Sequence, residues 1–139
     1  MNSTLILKGN ILYTPDPSAF VSIQQGYVIA VDGVVVHCGE SIPPAYTECE
    51  VADYGDKLII PGFVDTHAHA PQYCNRGLGM DKELLPWLET YTFPEEAKFS
   101  DQDYARLVYG SFVHDLWRNG TTRSILFGTI HKDSTLVLM

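Results

Sequence analysis

Leu58-Ile59-Ile60-Pro61-Gly62-Phe63-Val64-Asp65-Thr66-His67-Ala68-His69 is an apolar run that ends in two histidines one residue apart. A run of this kind predicts a strand buried on both faces, the usual state of a strand in a parallel sheet. Side chains alternate along a strand, so His67 and His69 leave the same face, roughly 6.5–7 Å apart along the backbone. Two imidazoles on one face can converge on a metal, where Zn–N distances are about 2.0–2.1 Å. A lone histidine here would read as a hydrogen-bonded core residue. The His-x-His pair closing an apolar strand, with Asp65 just before it, reads instead as a pair of metal ligands.

Working outward, the residues from Pro61 to His69 resemble the first-strand signature of the amidohydrolase superfamily, metal-dependent hydrolases built on a (β/α)8 barrel. Ala70-Pro71-Gln72-Tyr73, Leu85-Pro86-Trp87-Leu88-Glu89-Thr90-Tyr91-Thr92-Phe93-Pro94-Glu95, Asn119-Gly120-Thr121-Thr122 and Thr129-Ile130-His131 resemble the guanine deaminase family within it. The resemblance covers nearly the whole chain and is tightest from Pro61 to Ser134. Pro71 departs from it, standing where a small polar residue is common.

The resemblance implies zinc as the cofactor, held by His67 and His69 together with two more histidines and an aspartate from later strands. It implies guanine as the small-molecule substrate, deaminated hydrolytically to xanthine and ammonia. Gln72 fits the family's purine-reading glutamine, since a carboxamide both donates and accepts. His69 is expected to contact substrate as well as metal, and His131, at the end of a second strand, to line the pocket and touch substrate. The family's proton-shuttling glutamate follows a later strand, so no catalytic residue is assigned in this portion. A homodimer is implied for the full-length enzyme.

The 139 residues, 45% of them apolar, exclude a disordered chain. A complete barrel of this type needs about 250 residues, so the chain is expected to be the front portion of a larger enzyme. The expected fold class is α/β: residues 1–59 as the first part of a small β-sandwich-like domain, and residues 60–139 as a barrel cut off after about its second strand. These residues alone are expected to be inactive and to aggregate, because two ligands fall short of a catalytic zinc site and two strands leave sheet edges open.

Net charge is −8, with nine Lys and Arg and no basic run. Nucleic-acid binding needs a basic patch to neutralise phosphates, so no nucleic-acid partner is expected. No apolar stretch reaches about 18 residues and the start lacks a signal-peptide pattern, so no membrane partner is expected either. Cys38, Cys49 and Cys74 are odd in number and form no Cys-x-x-Cys pair. That usage suits a reducing compartment and predicts a cytoplasmic protein. The glycosylation-type triplets at Asn2 and Asn119 therefore carry no meaning. The His-x-Glu and Pro-Cys-x-x-Cys design of the other zinc deaminases is absent from the sequence.

In the first sixty residues, Leu5–Tyr13 reads as a strand stopped by Thr14-Pro15-Asp16-Pro17. Tyr27–Val31 and Val34–Gly39 form a hairpin through Asp32-Gly33, and a further strand starts near Val51. His37 reads as structural. Asp81 caps a short helix that Phe93-Pro94 ends. Ser100 starts a second helix, with Tyr104, Leu107, Val108, Phe112 and Leu116 on its apolar face and Asn119-Gly120 as its stop. His114 and Asp115 on that helix read as surface residues without chemistry. Thr121–Ile130 is the second barrel strand. Two other readings stand beside guanine deamination: another amidohydrolase acting on a purine, pterin or triazine ring, and a non-catalytic truncated product.

Overall fold

Pro61 divides the opening stretch. In the computed structural model, which describes residues 3–139 and so leaves Asn2 outside, one strand ends at Ile59 and the next begins at Phe63. The single buried strand expected from Leu58 onward is thus two strands, since Pro61 has no N–H to give to a ladder. They belong to separate units, the first ending at Pro61 and the second spanning Gly62–Met139.

The first unit is one four-stranded mixed sheet. Its strands are β1 (Thr4–Asp16), β2 (Ala19–Val31), β3 (Val34–Gly39) and β4 (Val51–Ile59), in the order β3-β2-β1-β4. β1 is antiparallel to β2 and parallel to β4. The hairpin between β2 and β3 turns at Asp32 (φ 49°) and Gly33 (φ 80°). Positive φ at both central residues is the type I′ signature, whose twist matches the flanking strands. Ile6 pairs with Ile29, and both are buried, as is Ile11. An apolar groove of about 330 Å³ lies against this sheet, lined by Leu7, Ile11, Tyr13, Val28 and Ile59. His37 is tied locally, its Nε2 lying 2.9 Å from the Ser41 carbonyl.

The second unit pairs β5 (Phe63–His69) with β6 (Thr121–Phe127) in parallel. Between them run α1 (Leu84–Trp87), α2 (Phe93–Ala97) and α3 (Gln102–Arg118), and α4 (Lys132–Leu138) follows β6. The core is built from Ala70, Phe99, Ala105, Val108, Tyr109 and Phe112, all buried, with Phe99 and Tyr109 rings 4.9 Å apart. β5 is not buried on both faces: Phe63 and Val64 are 57% and 58% exposed, with β6 as their one sheet neighbour among the described residues.

Several local expectations change: β1 runs on through Thr14 and Pro15 to Asp16, Asp81 does not cap α1, whose N-cap is Glu83, and β6 ends at Phe127 rather than Ile130. The buried stripe of α3 is Ala105, Val108, Tyr109 and Phe112, and Leu107 points to solvent. Its N-cap is Asp101, whose carboxylate accepts from the Asp103 and Tyr104 amides, while Ser100 turns back to the Ala97 carbonyl. Phe93-Pro94 does not end the preceding helix. A π-type turn over Leu88–Thr92 lets the Phe93 amide reach the Leu88 carbonyl, and Pro94 then enters α2 in its first turn, where a missing N–H costs nothing. Among the described residues no helix is long and apolar enough to cross a membrane.

The cap assignment is testable. Asp101→Ala is expected to lower stability by about 1 kcal/mol, Asp101→Asn to be close to neutral, and Ser100→Ala to cost less than Asp101→Ala. Denaturant midpoints of the three variants measure this; equal losses at positions 100 and 101 would count against Asp101 as the cap.

Candidate metal centre

β5 delivers two imidazoles to one place. Pleating puts His67 and His69 on the same side of the strand, and their rings tilt together until the two Nε2 atoms are 3.1 Å apart. Two ligands of a tetrahedral zinc, each about 2.0–2.1 Å from the metal, sit roughly 3.3 Å from one another. The separation is therefore that of two ligands on one metal. The His67 amide is held by the Asp65 carboxylate at 3.0 Å, a contact that shapes the backbone between the strand's last polar residues.

Phe127 supplies the floor. It lies opposite His69 in the β5–β6 register and stacks on that ring, with centroids 4.7 Å apart and planes 12° apart. The His67 ring also rests on it at 4.9 Å. One aromatic side chain on the neighbouring strand thus limits the rotation of both histidines.

The backbone leaves β5 into a 3₁₀ turn over Ala70–Asn75, begun by Pro71 in its first turn. That turn returns Gln72 to the strand end, with its Nε2 3.4 Å from His69 Nδ1. The turn is fastened at several points. Ala70 and Pro71 are buried, and the buried Asn75 donates to Thr92 Oγ1 at 3.5 Å. The Tyr73 hydroxyl donates to the Asp115 carboxylate of α3, and the Arg76 guanidinium lies over the Tyr73 ring at 3.9 Å. Asp115 therefore has a structural partner that its helix position alone does not suggest. The bond from Tyr73 holds the Asp115 carboxyl below its usual range and pushes the Tyr73 hydroxyl up.

α2 and α3 are fastened by a buried acid. Glu95 accepts from Lys98 Nζ at 2.6 Å and from the Tyr104 hydroxyl. Burial works to raise the Glu95 carboxyl, but the bonds from Lys98 and Tyr104 outweigh it and the group lies below its ordinary value. A groove of about 440 Å³ opens beside the strand end, lined by His69, Gln72, Arg76, Trp87 and Asp115 among others. Trp87 also anchors its own loop, its Nε1 donating to the Leu78 carbonyl at 2.8 Å.

His67, His69 and Gln72 are thus brought together, and His131 is not joined to them. It follows β6 at the same end of the pair, half-buried, with its amide donating to Thr129 Oγ1 at 3.1 Å and its carbonyl accepting from Thr135 at 3.2 Å. Among the described residues no cluster of three or more His, Cys, Asp or Glu side chains forms. Sequence reasoning missed Phe127 and the Tyr73–Asp115 tie. The first depends on strand register; the second had one signal, an aromatic hydroxyl directly after Gln72.

The sequence pattern of the amidohydrolase family matches residues 58–138. The chain is 53% identical over 88 residues to guanine deaminase of Dictyostelium discoideum, an alignment covering 63% of this chain and 20% of that protein. Its fold superposes on the crystal structure of guanine deaminase from C. acetobutylicum, determined with guanine bound in the active site. There the TM-score is 0.89 and the identity 48%, over 98% of this chain and 32% of that one. An adenosine deaminase from Xanthomonas campestris, solved with bound zinc, shares the fold at a TM-score of 0.68 and 23% identity, over 96% of this chain and 30% of its own. The chain therefore spans about a fifth to a third of the length of the relatives it matches.

The tie between Tyr73 and Asp115 predicts a pH signature. A carboxyl held below its unfolded value adds stability that is complete above the ordinary aspartate range of about 3.9 and is lost as pH falls through the depressed folded value. Tyr73→Phe is expected to return the Asp115 titration toward that ordinary range, read from its carboxyl carbon resonance. An unchanged titration would mean that Tyr73 does not set the charge of Asp115.

Proposed function

Because the chain belongs to the amidohydrolase family, we propose that the full-length protein hydrolyses the exocyclic amine of guanine, giving xanthine and ammonia. The observation that carries this reading is the convergence of His67 and His69 Nε2 atoms at 3.1 Å with Gln72 alongside. Guanine deaminases are among the relatives it matches, and one of them was solved with guanine in its active site.

In this reading β5 and β6 are the first two strands of a (β/α)8 barrel, opened by residues 60–139. The four-stranded sheet of residues 1–59 begins a β-sandwich-like small domain, and the complete protein is a homodimer. The site lies at the C-terminal ends of the barrel strands, where enzymes of that fold place their chemistry. Activity is proposed for the full-length protein and not for these residues alone, since a catalytic zinc takes at least three protein ligands.

His67 and His69 would hold zinc through their Nε2 atoms. Zinc, where bound, supplies a hydroxide nucleophile at neutral pH by acidifying water. The rest of the work here is positioning. His69 and Gln72 place the ring so that C2 can take the oxygen while its bond to the exocyclic nitrogen breaks and the nitrogen leaves as ammonia. Gln72 reads the ring edge by hydrogen bonding, and His131 lines the far side from the end of β6. Phe127 limits rotation of both imidazoles, which lowers the cost of assembling the ligand pair.

His67→Ala and His69→Ala are each expected to lose zinc and guanine turnover together, measured by elemental analysis and ammonia release. A fully metallated, active double variant would overturn the metal assignment. Gln72→Ala, assayed with zinc in excess, is expected to keep the metal and to lose roughly 5- to 150-fold in turnover, the cost of about 1–3 kcal/mol for an unpaired polar partner. Unchanged kinetics would return Gln72 to an ordinary loop residue.

A further inference from the structure

We propose that Gln72 positions His69 as well as contacting substrate. With zinc on His69 Nε2, the Gln72 carboxamide oxygen accepts the Nδ1 proton, so that only its NH2 group faces the ring. This rests on the metal and substrate reading given above and adds a direction to the hydrogen bonds within it.

Both ring nitrogens of His69 are engaged. Nε2 faces His67 Nε2 at 3.1 Å, and Nδ1 faces the Gln72 carboxamide at 3.4 Å. The Phe127 stack, at 12° between planes, holds the ring in the orientation that satisfies both neighbours. A neutral imidazole carries a single N–H. With Gln72 Nε2 turned toward it, Nδ1 would be the acceptor, which would leave the hydrogen on His69 Nε2, facing His67 Nε2. Polarity then runs from Gln72 through His69 to His67.

Placing a metal on His69 Nε2 reverses the order. The lone pair is needed at Nε2, so the hydrogen moves to Nδ1, which becomes a donor. A donor facing an amide NH2 is repulsive, whereas a donor facing the amide oxygen is a bond. The two ends of a carboxamide are nearly isosteric, and the terminal torsion of glutamine is soft, so a half-turn achieves the exchange without moving the backbone. The protein's net charge does not change. Metal-bound histidines are generally oriented in this way by an acceptor on their second nitrogen. Once the oxygen is committed to His69, Gln72 can offer substrate donors only, and a ring edge that presents acceptors is favoured over one that presents N–H groups.

The test uses the full-length protein and zinc itself, titrated against a chromophoric chelator. Gln72→Ala is expected to weaken zinc binding roughly 10- to 100-fold. Gln72→Glu, whose carboxylate accepts but never donates, should bind zinc at least as tightly as the unaltered protein. With zinc in excess, its guanine turnover should fall at least as far as that of Gln72→Ala. Unchanged zinc affinity in Gln72→Ala would overturn the proposal, as would equal weakening in both variants. A third measurement needs no substitution: in the zinc-loaded protein, long-range ¹H–¹⁵N spectra should place the proton on His69 Nδ1, and a proton-free Nδ1 would overturn it. If the zinc-loaded protein turns over another ring and not guanine, the guanine assignment falls while the zinc affinities still decide this proposal.

Discussion

The parallel pairing of β5 with β6 fixes which atoms can meet at the metal centre. Phe63 donates its amide to the Gly120 carbonyl at 2.8 Å, and the register, shifted by one residue after Phe63 and back again between Asp65 and Ala68, ends with His69 opposite Phe127. A one-residue slip in such a ladder would turn every side chain to the other face. His69 would then leave the groove, and Phe127 would no longer lie beneath the two rings. The site is therefore a property of two strands in register, although its ligands come from one.

Around that ladder the protein spends its polar contacts on holding a single short turn. The Ala70–Asn75 segment is buried at three of its positions and tied by Tyr73 to α3. α3 is in turn bound to α2 through Tyr104 and Glu95. A 3₁₀ turn has poorer hydrogen-bond geometry than an α-helix and little rigidity of its own. Its side-chain anchors are what give Gln72 a defined place beside His69. Surface ion pairs elsewhere, such as Lys8–Asp53 at 2.8 Å, bridge partly exposed groups and add little by comparison.

Much of this was legible in the sequence because it rests on short-range rules. The two-residue repeat predicted that His67 and His69 would share a face, and Asp32-Gly33 predicted its hairpin. The two-strand, helix-connected layout followed from the spacing of apolar runs. What stayed hidden depends on geometry that no local pattern encodes. Phe127 under the histidines required the parallel register. The Tyr73–Asp115 tie joins residues 42 apart in the chain. The expectation that Phe93-Pro94 ends a helix failed because it assumed an unbroken α-ladder, and the π-type turn supplies a different one. The exposure of Phe63 and Val64 shows that an apolar run reports the surroundings a strand is suited to, not those it has among these residues.

The π-type turn over Leu88–Thr92 acts as a phase adjuster. It takes up more residues in one turn than an α-helix would, and each residue of an α-helix advances the azimuth by about 100°. Remove one residue and the helix before Pro94 becomes regular, yet everything after it rotates by that angle. Glu95 would then turn away from Tyr104 on α3, while Lys98, three residues after it, would turn with it. The irregularity that a sequence reader takes for a helix end thus sets the heading of a buried carboxylate, and the chain length between Trp87 and Glu95 is constrained as tightly as the residues themselves.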